Sequence, residues 1–200
     1  MKTMAEDKLG IHILGPTYFG TRQVGLRVDK KNSTPEDMAG IKLRMPGGEA
    51  WQFLGKALGA NPTPMAYPEV YTGLQNGAID GQDNPLPNVQ NMKFYEVENQ
   101  TVMTSHLVGY DLLVVSKTVW DSLDDPQKEA FQSAADAAIT CSTEQHINRE
   151  AELIEFFKGE RMEIYTPDVD AFRAYAQKMY LESVISKDWP EGMIDCINAL

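Results

Sequence analysis

Arg44 occupies the position best suited to recognition chemistry. It stands near the end of the alternating run Ile41-Lys42-Leu43-Arg44-Met45, just before Pro46 and the start of a helical pattern. In α/β sheets, ligands collect beyond the carboxyl ends of strands. A guanidinium there presents a planar fork that grips a carboxylate with two parallel hydrogen bonds. Asn84 follows a second short strand, read over residues 78–81, and offers both a donor and an acceptor. Tyr67 opens a helical stretch after a third strand. All three stand at strand-to-helix junctions, which places them to converge on one edge. A plainer account is equally open: Arg44 as a surface strand residue, Asn84 as a turn former, Tyr67 as a rim aromatic.

Reaction chemistry finds less support. His12 lies in a strand, where a satisfied structural role is expected, and His146 lies in a polar stretch, where a solvated ring is expected. Glu144 and His146 are two positions apart and cannot share a helix face as metal ligands. No HExxH, GxSxG or GxxxxGK[ST] pattern occurs. Gly47-Gly48 before a helix could hold an anion, but two glycines are a weak signal and a simple turn is the favoured account. Asp80 and Asp83 form an ordinary acidic loop pair. The expectation is no catalytic residue, no metal and no cofactor. Cys141 and Cys196 are isolated thiols without a CxxC spacing, expected to be buried and inert, with a disulfide as the alternative.

The 200 residues suffice for one large domain or two small ones, with 42% hydrophobic and 24% charged residues, an ordinary globular balance. Asp and Glu number 29 against 18 Lys and Arg, a net charge of −11, and no basic patch relieves it, which excludes nucleic acid as the natural partner. No apolar run approaches the ~18 residues that cross a bilayer. Residues 1–8 carry no apolar core of a signal peptide, so either the protein is cytosolic or its export signal lies outside this sequence.

Short apolar runs alternate with helical patterns, the mark of an α/β architecture. A strand is expected over 10–15, then a loop punctuated by Gly15-Pro16 and Gly20. Thr34 and Pro35 begin a single helical turn that Gly40 stops. Ala50, Phe53, Leu54, Ala57 and Leu58 form an amphipathic helical stripe ended by Gly59. The two prolines of 61–65 keep that stretch extended, and a helix follows over 68–75. Two strands are expected at 101–104 and 112–115. One helix of about 30 residues should begin near Asp125, with Pro126 in its first turn and a polar, solvated middle between two apolar ends. A strand at 162–165 and helices at 168–186 and 190–199 complete the chain.

Several linked stretches resemble the substrate-binding proteins of tripartite ATP-independent periplasmic (TRAP) transporters, DctP type. They are Pro35-Glu36-Asp37-Met38-Ala39-Gly40-Ile41-Lys42-Leu43-Arg44-Met45-Pro46, Leu58-Gly59-Ala60-Asn61-Pro62-Thr63-Pro64-Met65, Glu69-Val70-Tyr71-Thr72-Gly73-Leu74-Gln75-Asn76-Gly77, Asp80-Gly81-Gln82-Asp83-Asn84-Pro85, and Val114-Val115-Ser116-Lys117 with Trp120-Asp121-Ser122-Leu123. They keep the family's order and spacing over residues 18–160.

The resemblance implies a periplasmic-binding-protein-like α/β fold, with two lobes joined by hinge strands and a long interlobe helix. It implies capture of a small organic acid in the periplasm and delivery to membrane permease subunits, without a catalysed reaction and without spanning the membrane. The carboxylate-gripping arginine falls on Arg44, the ligand asparagine on Asn84, the aromatic on Tyr67, and a second arginine on Arg22 in Gly20-Thr21-Arg22. Trp51 and His106 are further candidates, with packing and structural roles as their alternatives. Family members carry a signal peptide and most of a first lobe before the part matching residue 20. The chain therefore reads as N-terminally truncated: 1–19 a remnant of the first lobe and hinge strand, 20–109 the second lobe, 110–159 a first-lobe remnant with the long helix, and 160–200 a return to the second lobe. Such an open half-cleft leaves apolar surface that invites self-association. Two rivals remain: a ligand-sensing module of the same lineage, and a small α/β enzyme using Asp80, Asp83 or His106 as acid or base.

Overall fold

In the computed structural model, residues 2–199 are described; Met1 and Leu200, the ends of the outermost expected segments, lie outside them. The chain forms two compact units. The first takes in residues up to Gln23, Asn84–Glu96 and Ser105–Ile164; the second takes in Val24–Asp83, Val97–Thr104 and the residues from Tyr165 onward.

Six strands are hydrogen-bonded in the order β3-β2-β4-β1-β5-β6: β1 (Ile11–Leu26), β2 (Lys42–Met45), β3 (Asn61–Pro64), β4 (Gly81–Pro85), β5 (Gln100–Ser116) and β6 (Glu163–Tyr165). In the second unit β2 pairs in parallel with β3, Arg44 opposite Thr63, and with β4, Arg44 opposite Gln82. Two prolines are tolerated in β3 because it is an edge strand. They alternate, so the Asn61 and Met65 amides still donate to the Ile41 and Met45 carbonyls. The strand at 41–45 and the extended stretch at 61–65 are therefore as expected.

The helices are α1 (Lys2–Leu9), α2 (Glu49–Ala57), α3 (Val70–Asn76), α4 (Leu86–Asn91), α5 (Lys117–Ser122), α6 (Asp125–Gly159), α7 (Val169–Glu182) and α8 (Met193–Asn198). The long helix is 35 residues. Asp124 accepts from the Gln127 amide, while the Gln127 side chain accepts from the Asp124 amide, a reciprocal cap that fixes its start. Pro126 sits where its missing N–H costs nothing. In the single turn at Pro35–Met38 the Asp37 carboxylate accepts the Ser33 and Thr34 amides.

Several expectations need correction. The break at Gly15-Pro16 and Gly20 does not exist: β1 runs through all three residues. A Cβ at Gly15 would lie 2.8 Å from Ile139 Cδ1, and one at Gly20 2.6 Å from Pro85 Cβ. Both glycines admit a close neighbour within a strand; they do not turn the chain. The two expected strands after residue 100 are one, β5. The strand read at 78–81 starts at Gly81 and contains Asn84, so Asn84 is not in a loop. The run Gly81-Gln82-Asp83-Asn84-Pro85 is polar yet buried throughout, so hydrophobicity hides it. Helices α1, α4 and α5 had no expectation. The terminal helices are shorter than expected, ending at Glu182 and spanning Met193–Asn198. Cys141 and Cys196 are exposed free thiols, Cys141 because it faces out from the polar middle of α6.

The second unit's core gathers Val24, Leu26, Met38, Leu43, Met45, Leu74 and Ile79. In the first unit, Ile13, Leu14, Ala135, Leu153 and Phe157 are buried. There Tyr95 packs edge-on to Phe156, 5.3 Å between ring centres.

Candidate functional site

In the second unit, Arg44 is 3% exposed, although it belongs to a short strand that ends at the next residue. Its Nε and Nη2 donate to the Met65 carbonyl at 2.9 and 2.8 Å, fixing the guanidinium plane. The Tyr67 ring centre is 5.7 Å from the guanidinium carbon, within cation–π range. Parallel pairing of β2 with β3 brings the chain beyond Pro64 back past the end of β2, which is why residues 21 and 23 positions apart meet. Arg44, Gly47, Met65, Tyr67 and Glu69 line an open groove of about 590 Å³. A Cβ added at Gly47 or Gly48 would meet nothing within 4 Å, so the backbone there borders open space. Gln52 donates to the Pro46 carbonyl at 2.9 Å and steadies the turn into α2. Trp51, half-buried on α2, is not among the residues lining this groove.

In the first unit, Arg22 on β1 and Asn84 on β4 are 7% and 4% exposed. Arg22 Nη2 donates to Asn84 Oδ1 at 3.4 Å, a long contact for a hydrogen bond. His106, on β5, is half-buried. The residue before it, Ser105, has φ of +46°, which side chains other than glycine seldom adopt. Gln23 holds Ser105 there, accepting its amide at 2.8 Å and donating to its hydroxyl at 3.2 Å. Neighbours of Arg22 and His106 along the chain are thus tied to each other.

The acidic residues weighed for catalysis have structural surroundings. Asp80 accepts the Lys42 amide at 3.0 Å and lies within 4 Å of the Lys42 ammonium and the Arg27 guanidinium. Asp83 is wholly buried in β4. His12 is satisfied as expected: its Nδ1 is 2.6 Å from Glu6, and its ring stacks on Trp120 with 4.0 Å between centres. His146 is not simply solvated. It is half-buried, its Nδ1 is 2.9 Å from the Ser142 carbonyl, and its ring borders Tyr18 and Phe19.

Two groups went unread in the sequence. Glu98, in the second unit, is 5% exposed; its Oε1 accepts from Gln82 at 2.9 Å, and its Oε2 has no hydrogen-bond partner among the described residues. Burial pushes its pKa up to about 8, against a smaller lowering by Gln82. Glu150, on α6, binds β1. Nothing in residue type or spacing marks either. The one available trace was Gly20, whose missing Cβ makes room for Pro85 and Glu150.

Among the described residues no group of three or more His, Cys, Asp or Glu could hold a metal ion. No described helix is long and apolar enough to cross a membrane.

Residues 1–187 match the family described as bacterial extracellular solute-binding protein, family 7 (DctP). The sialic acid-binding periplasmic protein SiaP of Vibrio cholerae is 38% identical over 176 residues, which cover 88% of this chain and 54% of SiaP. The 2,3-diketo-L-gulonate-binding periplasmic protein YiaO of Escherichia coli is 31% identical over 195 residues, 96% of this chain and 58% of YiaO. A crystal structure of a TRAP periplasmic solute-binding protein from Roseobacter denitrificans, with bound 3-deoxy-D-manno-oct-2-ulosonic acid (KDO), is 53% identical with a TM-score of 0.93. That match covers 99% of this chain and 66% of the other. The α/β fold is that of the TRAP periplasmic solute-binding proteins, and the chain spans between half and two thirds of the length of these relatives.

Proposed function

This chain belongs to family 7 of the bacterial extracellular solute-binding proteins, and from that premise we propose that it binds a small organic acid in the periplasm for uptake through a TRAP membrane permease. A sugar acid of the KDO type is the favoured ligand, supported by the 53% identity to the KDO-bound protein. Arg44 clamps the ligand carboxylate and Arg22 adds positive charge. Asn84 fixes orientation through its amide, and Tyr67 packs on the carbon skeleton. His106 makes a secondary contact, and Trp51, outside the groove that Arg44 lines, takes the packing role that was its alternative. Bonds within the ligand are neither made nor broken.

The observation that carries this reading is Arg44, a residue 3% exposed whose guanidinium is braced by a backbone carbonyl and an aromatic ring on the wall of an open groove. Bracing of this kind holds a long side chain in one orientation before ligand arrives, which lowers the ordering cost of binding. Calorimetric titration with KDO tests it. Arg44→Ala should weaken binding by about thirtyfold or more, since losing one partner of a desolvated charge pair costs at least ~2 kcal/mol. Unchanged affinity would remove Arg44 from the site. Mass spectrometry of the ligand after incubation should show it intact; a new product would favour an enzyme.

A further inference from the structure

The polar middle of α6 is not an idle solvated stretch. Glu150, half-buried just after the last residue of that stretch, Arg149, directs both carboxylate oxygens at β1. Its Oε1 accepts the Thr21 amide at 2.7 Å, and its Oε2 accepts the Tyr18 hydroxyl at 2.5 Å. The Tyr18 and Thr21 hydroxyls are 2.7 Å apart, closing a ring of hydrogen bonds around the segment. Between them Gly20 has φ of +124°, and a Cβ there would lie 3.0 Å from Glu150 Oε1 as well as against Pro85. Burial, and then the Glu150 carboxylate, hold the Tyr18 hydroxyl above the usual tyrosine range, which fits a hydroxyl committed to donating. The two residues next along the chain from this contact are Arg22, after Thr21, and Asn84, before Pro85. The neighbouring residue on α6, Arg149, donates to Gln90 of α4 at 2.6 Å. One stretch of α6 therefore binds the part of β1 that carries Arg22 and the helix that follows the strand of Asn84.

We propose that Glu150 is a positioning residue for ligand binding: by gripping the Thr21 amide and the Tyr18 hydroxyl it sets the backbone from which Arg22 reaches toward Asn84. An apolar side chain could pack α6 on β1 equally well. A carboxylate accepting two hydrogen bonds adds direction, since both bonds need Thr21 and Tyr18 in one register. It also brings a cost to an anion-binding site, because its negative charge opposes the ligand's. That cost is offset only if the orientation it imposes on Arg22 matters. The inference rests on the assignment of Arg22 to the ligand.

The test is calorimetric titration of the full chain with KDO, well below the unfolding temperature, for the unsubstituted protein and for Arg22→Ala, Glu150→Ala, Glu150→Gln and Tyr18→Phe. Glu150→Ala should weaken binding roughly tenfold, in the range seen when an orienting partner is lost. Glu150→Gln keeps an acceptor for Thr21 and a polar partner for Tyr18, and should recover affinity to within about threefold. A purely structural Glu150 would lower the melting temperature and leave the dissociation constant of the folded protein unchanged; that result, with Arg22→Ala still weakened, overturns the inference alone. If Glu150→Ala does not fold, Tyr18→Phe decides: about a twofold to threefold loss supports the inference and none overturns it. No KDO binding by the unsubstituted chain, or no effect of Arg22→Ala, would instead defeat the functional reading, and this inference with it.

Discussion

Strands β2 and β5 are both rich in apolar residues, but the two units treat them differently. In the second unit Leu43 and Met45 on β2 are fully buried, as are Val24 and Leu26 on β1. In the first unit Val108, Tyr110, Leu112, Leu113 and Val114 on β5 are 38–60% exposed, and the last three are consecutive, so both faces of that strand meet solvent. Alternation predicts which face of a strand is apolar. It does not predict whether anything covers that face. The second unit is held by its core. The first relies more on α6, whose capped start, buried Leu153 and Phe157, and Glu150 contact act at separate points along 35 residues.

The sharpest way to break the comparison is to make cavities. Leu43→Ala should cost about 2–5 kcal/mol in urea unfolding, whereas Leu113→Ala, already 38% exposed, should cost under about 1 kcal/mol. Equal losses would mean that the two strands are equivalently buried in solution.

Glu98 gives the second unit a pH dependence. Its carboxyl stays neutral in the folded protein up to about pH 8, against an ordinary 4.5 in the unfolded chain. Between those values the unfolded chain binds fewer protons, so stability falls as pH rises. The contribution is fully present below about pH 4.5 and lost as pH passes about 8. Glu98→Gln, which can still accept from Gln82, should flatten urea midpoints measured from pH 5 to pH 8.5; an unaltered slope would place the proton elsewhere.

A smaller effect belongs to the start of α6. Asp124→Ala removes the acceptor for the Gln127 amide and should cost about 1 kcal/mol. It should act on the first unit's unfolding, and a loss indistinguishable from zero would show that the first turn frays without consequence.

The same contrast explains what could be read without a structure. The 3.6-residue stripe ended by Gly59 marked α2, and the apolar stripes behind Pro126 marked α6, because helix signals are local and periodic. Strand β2 and the place of Arg44 were legible from alternation ended by a proline. Strand β4 was not, because Gln82, Asp83 and Asn84 are buried polar residues whose partners lie far away in sequence, Glu98 for Gln82. Gly15 and Gly20 were misleading, since a glycine that admits a close neighbour looks the same as one that turns the chain. Glu150 was invisible: its bonds reach back 129 and 132 positions to residues that share no motif with it.

The most direct measurement follows the Arg44 Nε–H resonance in ¹⁵N-labelled protein as KDO is added. If Arg44 holds the ligand carboxylate, that resonance, assigned by its loss in Arg44→Ala, shifts and saturates with the calorimetric dissociation constant. A resonance that stays in place while KDO binds would contradict the assignment of Arg44 to the carboxylate.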